Sequence, residues 1–580
     1  MREYWVWAPN AGQVRLAVGD QIYDMTVDTG GWWGASAPDG DYGFLLDDDP
    51  TVLPDPRSRC QPDGVHGRSR SLVATNWTDH QWRGARVEGG VIYELHIGTF
   101  TPEGTLDAAA DRLDHLRSIG VTHVELMPVN AFNGVHNWGY DGVCWYAVHE
   151  EYGGPAAYQR FVDACHAQGL AVVQDVVYNH FGPSGNYLPR FGPYLSSEGR
   201  SSWGEHVNLA ESEVRRYILD NVAFWVEEMH VDALRLDAVH ALVDEPPHKI
   251  LAEMSQLVDE IETRTGRAIE LIAESDLNDP AMITPRPVGL GIDAQWSDDF
   301  HHALHVALTR ETDGYYADFA GIEAMRKVLA GGFFHDGTYS SFRGRDHGAP
   351  IDPATTGAWR LVVSAQNHDQ IGNRARGDRI TEKLDESELL IAALMLYAGP
   401  FTPMLFMGEE WAASSPFQYF TSHPEADLGA AVARGRISEF ARMGWDHDLV
   451  PNPQDPQTFQ RSKLDWSECG FRGTAHRELA QGARHRRVLN AYRELAELRA
   501  ELPSLRSREF ARDAWCDPEQ NRLRFTRAEG AESAEVLVNF GVTEWRVEVA
   551  GRRTRFATHP DTRELADTIV LPPRAGALLL

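Results

Sequence analysis

Four short stretches of the 580-residue chain set acids, imidazoles or a guanidinium directly behind apolar runs: DVVYNH (Asp175 to His180), ALRLDAVH (Ala233 to His240), AES (Ala273 to Ser275) and QNHDQ (Gln366 to Gln370). Taken singly, each reads as the wet end of a strand, or as acids capping a helix. Four on one rim would crowd groups that repel and desolvate one another, which is a pattern of active sites. The residue types fit cleavage of a glycosidic bond. That reaction needs one carboxylate to attack the anomeric carbon and one carboxylic acid to protonate the leaving oxygen, about 5 Å apart when a covalent intermediate forms.

The expected roles follow from charge. Asp237 is the candidate nucleophile, kept ionised by Arg235, whose side chain two residues earlier points to the same side of a strand. Glu274 is the candidate acid, its pKa raised by a nearby carboxylate and partial burial. Asp369 would be a third carboxylate, holding sugar hydroxyls more tightly as the ring flattens in the transition state. His180 and His368 could donate to the same sugar, although each could equally be a satisfied structural side chain. Tyr140, in HNWGYDG (His136 to Gly142), could offer an aromatic face to the ring or simply pack its loop.

Such groups must be held by elements that end on one face. Eight apolar runs of strand length begin at Val91, Val121, Leu170, Val231, Ala268, Gly291, Arg360 and Thr402. Between them lie segments of helical periodicity, for instance Leu106 to Ile119, Ala156 to Gln168, Glu213 to His230, His248 to Arg264 and Glu386 to Tyr397. This alternation predicts an α/β fold, a (β/α)8 TIM barrel, whose strands present chemistry at their C-terminal ends. Short aromatic and β-branched stretches before it predict an N-terminal β-sandwich over residues 1–85. The barrel would run over 86–502, with long loops at 178–211 after the third strand and 411–481 after the eighth, ahead of a last helix around Val488 to Leu502. A C-terminal antiparallel β domain would occupy 503–580.

Hydrophobic residues at 43% and charged residues at 24% suit a globular protein, and a formal charge of -31 argues against nucleic acid or an anionic membrane as partner. Five widely spaced cysteines show no metal-ligand pairing, and the first residues lack the pattern of a secretory signal. A cytoplasmic location follows as an expectation, with no obligate protein partner.

With these residues in place, the chain resembles the α-amylase family, whose four signature segments are matched in order by DVVYNH, LRLDAVH, the AES that contains Glu274, and NHD at Asn367 to Asp369. The resemblance implies a retaining mechanism, no organic cofactor, the three carboxylate roles above, and sugar-binding roles for Arg235, His180, His240 and His368. Further segments extend it: YELHIGTFTPEGT from Tyr93, PVNAFNGVHNWGYDGV from Pro128, DAQWSDDFHHALH from Asp293 and NHDQIGNRARGDR from Asn367. They are similar to members that hydrolyse the α-1,4 bond joining a maltooligosaccharide to a terminal trehalose. The implied partner is an α-glucan oligosaccharide with a trehalose end, contacted on the plus side of the cleft by Trp203, Phe342 and Arg343. The N-terminal module is similar to one shared with branching and debranching enzymes. Branching enzymes typically read SHDE where this chain has NHDQ, which favours hydrolysis over branching. Many amylases hold calcium in the loop after the third strand. Here Asn179 is present, but residues Phe181 to Arg200 carry a single acid, Glu198, so no required metal is expected. A sugar-binding barrel without activity is the remaining alternative, although such relatives usually lack one of the three carboxylates.

Overall fold

The computed structural model describes residues 1–73, 75–201, 204–244, 249–442, 449–470, 476–549 and 551–580. Eight strands form its centre: β1 (Ile92–Leu95), β2 (His123–Leu126), β3 (Ala171–Val176), β4 (Ala233–Leu236), β5 (Glu270–Ala273), β6 (Ala294–Trp296), β7 (Leu361–Ser364) and β8 (Thr402–Phe406). Each pairs in parallel with the next, and β8 returns to β1, so the sheet closes into a barrel. All eight predicted runs are strands of this barrel.

Side-chain alternation explains how the barrel serves chemistry. One set of residues points out: Tyr93, Val124, Val172, Leu234, Leu271 and Leu405 join the large core beneath the helices. The other set points in, where Ile92, Val173, Ala233, Ile272, Val362 and Met404 form a compact apolar plug. Two residues further along the same faces come Glu94, Asp175, Arg235 and Glu274, because strand side chains repeat with period two. The apolar plug thus supports a polar layer at the C-terminal rim.

The surrounding helices follow local signals. Pro155 sits in the first turn of the helix Gly154–Ala167, Asp385 and Glu388 form a capping box at Glu386–Ala398, and Gly266 ends Ile250–Thr265 in a left-handed conformation. Three details differ from the periodicity. The first expected helix is split into Leu106–Ala110 and Leu113–Ser118, and the fourth strand is preceded by Ser212–Ala223 running into a π turn at Phe224–Glu228. The last helix begins at His476 rather than near Val488, since its first three turns are polar and carry no apolar stripe to announce them.

Two three-stranded antiparallel sheets make the N-terminal β-sandwich, and a five-stranded and a three-stranded antiparallel sheet follow the barrel. The N-terminal strands end at Leu46, and the chain from there to β1 is mostly irregular and packs along the barrel. Trp7 meets Tyr194 edge on, and Trp32 Nε1 donates to Glu213 Oε2 at 3.1 Å, so this sandwich braces the long loop after β3. No described helix is long and apolar enough to cross a membrane.

Candidate active site

Arg235 organises the site. It is fully buried, and its Nη1 donates to Asp175 Oδ1 at 3.0 Å, Asp175 Oδ2 at 2.9 Å and Asp237 Oδ1 at 2.8 Å. Its Nη2 lies 3.0 Å from Glu274 Oε2, and its guanidinium carbon stands 4.2 Å from the centroid of the Trp296 ring. One cation therefore serves carboxylates from three adjacent strands. Removed from water, such a group is tolerable only with this many partners. The parallel register sets Leu236 beside Ala273, so Asp237 and Glu274 leave neighbouring strands at the same height.

Each carboxylate is further held. Asn179 Nδ2 donates to Asp237 Oδ2 at 2.7 Å and to the Asp237 carbonyl at 3.1 Å. The Ala238 amide donates to Glu274 Oε2 at 2.7 Å, and Ala238 takes a left-handed φ of 41° to aim it. A non-glycine residue in that conformation beside a carboxylate on the rim is stored strain of the kind found at functional sites. Asp369 does not continue β7. It stands in the first turn of the short helix His368–Gly372, which Asn367 and Gln370 start with a capping box, and it accepts from Asn373 Nδ2 at 3.1 Å.

His368 and Tyr140 close the ring. His368 Nδ1 lies 2.5 Å from Glu94 Oε1 and its Nε2 2.9 Å from Tyr140 Oη, which in turn donates to Asp175 Oδ2 at 2.8 Å. The Tyr140 and His368 rings stack at 5.3 Å. His180 Nε2 lies 3.0 Å from the Tyr140 carbonyl, and its Nδ1 meets Asn179 Oδ1.

Burial and mutual charge set the protonation states. Burial pushes the Glu274 carboxyl up to about 8; Arg235 opposes this, while Asp237 and Asp369 add to it. Burial likewise raises Asp175 to about 7 against the pull of Arg235. Burial works against charge on His368, yet Asp369 and Glu94 hold its imidazolium up to about 10.

These groups open into a cleft of about 550 Å³. Tyr140, His180, His240, His368 and the three carboxylates all line it. Phe342 and Arg343 do not. Phe342 is 58% exposed on the turn between Thr338–Ser340 and Arg345–His347, where it meets Tyr315 edge on at 5.9 Å. Arg343 donates to Asp276 Oδ2 at 2.8 Å, and Asp276 also lies 3.8 Å from His240 Nδ1, so Arg343 reaches the cleft wall through one carboxylate. Trp203 lies outside the described residues. Sequence reasoning assigned no role to Glu94, Asp175, Asn373 or Arg436. Glu94 and Asp175 are charged residues inside apolar strands, which is a readable signal. Arg436 lies on a surface helix, and nothing in its local sequence points to the cleft.

Comparison with known proteins is consistent along the chain. Residues 52–203 match the family model of the alpha amylase catalytic domain. A malto-oligosyltrehalose trehalohydrolase from Rhizobium sp. (strain M-11) is 53% identical over 591 residues, covering 99% of this chain and 97% of that protein. One from Arthrobacter ramosus is 58% identical over 516 residues, covering 87% and 88%. A crystal structure of a Salmonella typhimurium protein superposes with a TM-score of 0.89 at 35% identity, covering 100% of this chain and 97% of that one.

Proposed function

The chain belongs to the malto-oligosyltrehalose trehalohydrolases of the α-amylase family, and from that premise we propose that it hydrolyses the α-1,4 bond next to the terminal trehalose of a maltooligosaccharide, with Asp237 as nucleophile and Glu274 as acid/base. The observation that carries the assignment is the single Arg235 guanidinium within 3.0 Å of both carboxylates.

In the first half-reaction an Asp237 oxygen bonds to the anomeric carbon as the glycosidic C–O bond breaks. Glu274 transfers its proton to the departing oxygen, and free trehalose leaves. Its raised pKa keeps that proton available at neutral pH. Once Asp237 is esterified its negative charge is gone, and with it one of the repulsions that raised Glu274. The acid of the first step thereby becomes a stronger acid, ionised and ready to take a proton from water in the second. Water then attacks the same carbon, the ester bond breaks, and the maltooligosaccharide leaves with its α configuration retained. Asp369, His180, His240 and Tyr140 would hold the hydroxyls and face of the reacting sugar, His368 would act on it through Tyr140, and Arg235 keeps the carboxylates in register. Trp203, Phe342 and Arg343 remain proposals for the trehalose side.

The domain limits at 85 and 502 belong to the same proposal, as does a cytoplasmic location, which suits five cysteines that stand unpaired. Incubation with maltooligosyltrehalose and with amylose, followed by chromatography, tests the substrate. Free trehalose from the first supports the reading, and new α-1,6 branches in the second reject it. D237N and E274Q should each lower turnover by a factor of about 10⁴ or more; wild-type rates in either variant would remove the role assigned to that residue.

A further inference from the structure

We propose that Glu94, on β1, is a positioning residue for this hydrolysis: it fixes His368 as an imidazolium that donates from both ring nitrogens, and so sets the direction of the hydrogen bonds from β1 round the rim to Arg235 and the nucleophile. The inference rests on the assignment of Asp237 and Glu274 made above.

Glu94 is 1% exposed and commits both oxygens to one residue. Oε1 lies 2.5 Å from His368 Nδ1, and Oε2 accepts from the His368 backbone N–H at 3.0 Å. A carboxylate has no proton to give, so Nδ1 carries one. On the far side of the ring, Tyr140 Oη sends its only proton to Asp175 Oδ2, leaving its oxygen to accept from His368 Nε2 at 2.9 Å. Both nitrogens are then donors, which only the charged ring allows. Asp175 accepts from Arg235 Nη1, and the same nitrogen donates to Asp237. The chain therefore runs Glu94, His368, Tyr140, Asp175, Arg235, Asp237, drawing on β1, β3, β4 and the loops after β2 and β7.

Other groups facing His368 do not replace Glu94. Asp369, on the same short helix, lies 3.5 Å from Nε2, half exposed to the cleft where a sugar would claim it. Arg235 opposes the charge, and Asp175 and Asp237 are engaged by that arginine. His96, which also faces His368, hydrogen-bonds through Nε2 to the Asn137 carbonyl, and burial holds its pKa low, at about 3. Glu125, buried beside Glu94 on β2, has no donor on either oxygen, and burial first, then the charge of Glu94, raises its pKa. A packing role for Glu94 would be served as well by glutamine, which keeps the shape and can still accept from the backbone. The two accounts therefore part on pH.

The test measures kcat and KM from about pH 5 to about pH 9 for wild type, E94Q and E94D, with a fluorinated glycosyl fluoride to label the nucleophile for mass spectrometry. E94Q should recover towards wild-type kcat as pH falls to about 5, where the buried ring, still faced by Asp369, takes up its proton, and fall at least about tenfold behind it by pH 8 with KM little changed. E94D should follow the wild-type profile. A loss of equal size at every pH, or no loss, overturns the proposal. If E94Q does not fold, the ¹⁵N signals of His368 in the wild-type enzyme, identified by their absence in H368N, decide instead: an imidazolium at pH 8 supports the proposal and a neutral ring overturns it. Failure to label Asp237 in the wild type would bring down the nucleophile and this inference together, whereas a labelled Asp237 with a flat E94Q ratio removes Glu94 alone.

Discussion

At the scale of the residue, the site is governed by the mismatch between one buried cation and the acids around it. Arg235 can face three carboxylates because its planar fork aims Nη1 at Asp175 and Asp237 and Nη2 at Glu274. A lysine would bring the same charge as a single point. R235K should therefore lower kcat by about 10²-fold or more, a loss that steady-state kinetics would show alongside circular dichroism to confirm the fold. The surplus of negative charge falls on Glu274, and the sign of its effect is definite. In the proposed mechanism the form that starts the reaction is the protonated one, and burial sets its pKa at about 8. Activity should hold through neutral pH and decline as pH rises through about 8, so that a kcat/KM profile still rising beyond pH 9 would contradict the role of Glu274 as acid. Asp237, Glu274 and Asp369 were each legible from residue type behind an apolar run. Glu94 stood out as a charge inside an apolar strand, but its partner was not legible, because nothing within VIYELHI says which imidazole, 274 positions away, will lie against it.

At the scale of the element, the excursion after β8 contributes more than its sequence suggested. Its helix Ala426–Arg442 brings Arg436 over the Tyr419 ring and within 3.1 Å of Asn373 Oδ1, while the second nitrogen meets the Gly372 carbonyl. Asn373 passes the contact on to Asp369. This helix thus walls the cleft and steadies the third carboxylate through one intermediary. N373A should reduce kcat by about tenfold, a loss of about 1.4 kcal/mol in the hold of Asp369 on the transition state, with the melting temperature little changed. R436A should raise KM more than it lowers kcat, because it removes a wall of the cleft as well as a support. The strands themselves were readable from their apolar runs. The split of the first helix and the early start of the last were not, since polar helical turns give no periodic signal and depend on what packs against them.

At the scale of the molecule, the N-terminal sandwich and the barrel are coupled through the loop that carries Asn179 and His180. Arg57, on the irregular segment after the sandwich, donates to Asp220 Oδ2 at 2.8 Å and to Tyr146 Oη at 3.1 Å, and stands over the rings of Trp32, Tyr146 and Tyr217. Replacing it removes these contacts and opens a seam between modules. R57A should cost about 2 kcal/mol of stability, visible as a lower midpoint in urea, and should lower kcat less than any change at the rim. At the other end, Arg574 clasps the barrel by donating to Glu388 Oε1 at 2.5 Å and to the Ala307 carbonyl at 3.2 Å. The cleft therefore sits in a scaffold held from both sides.

The sequence by itself determined the barrel, its strand count, the β modules at either end and the residue types of the rim, because each is written in local pattern: apolar runs of strand length, period-two alternation, and acids at run ends. Tertiary structure alone decided which acid faces which cation, that Asp369 rides on a capped helix, and that Glu94 and Arg436 reach the site at all. Closing the sheet is what brings residues from distant parts of the chain within hydrogen-bond reach, and desolvation inside the closed rim is what raises Glu274 and Asp175 together. Neither distance nor dielectric is a property of a segment, so no reading of segments could have supplied them.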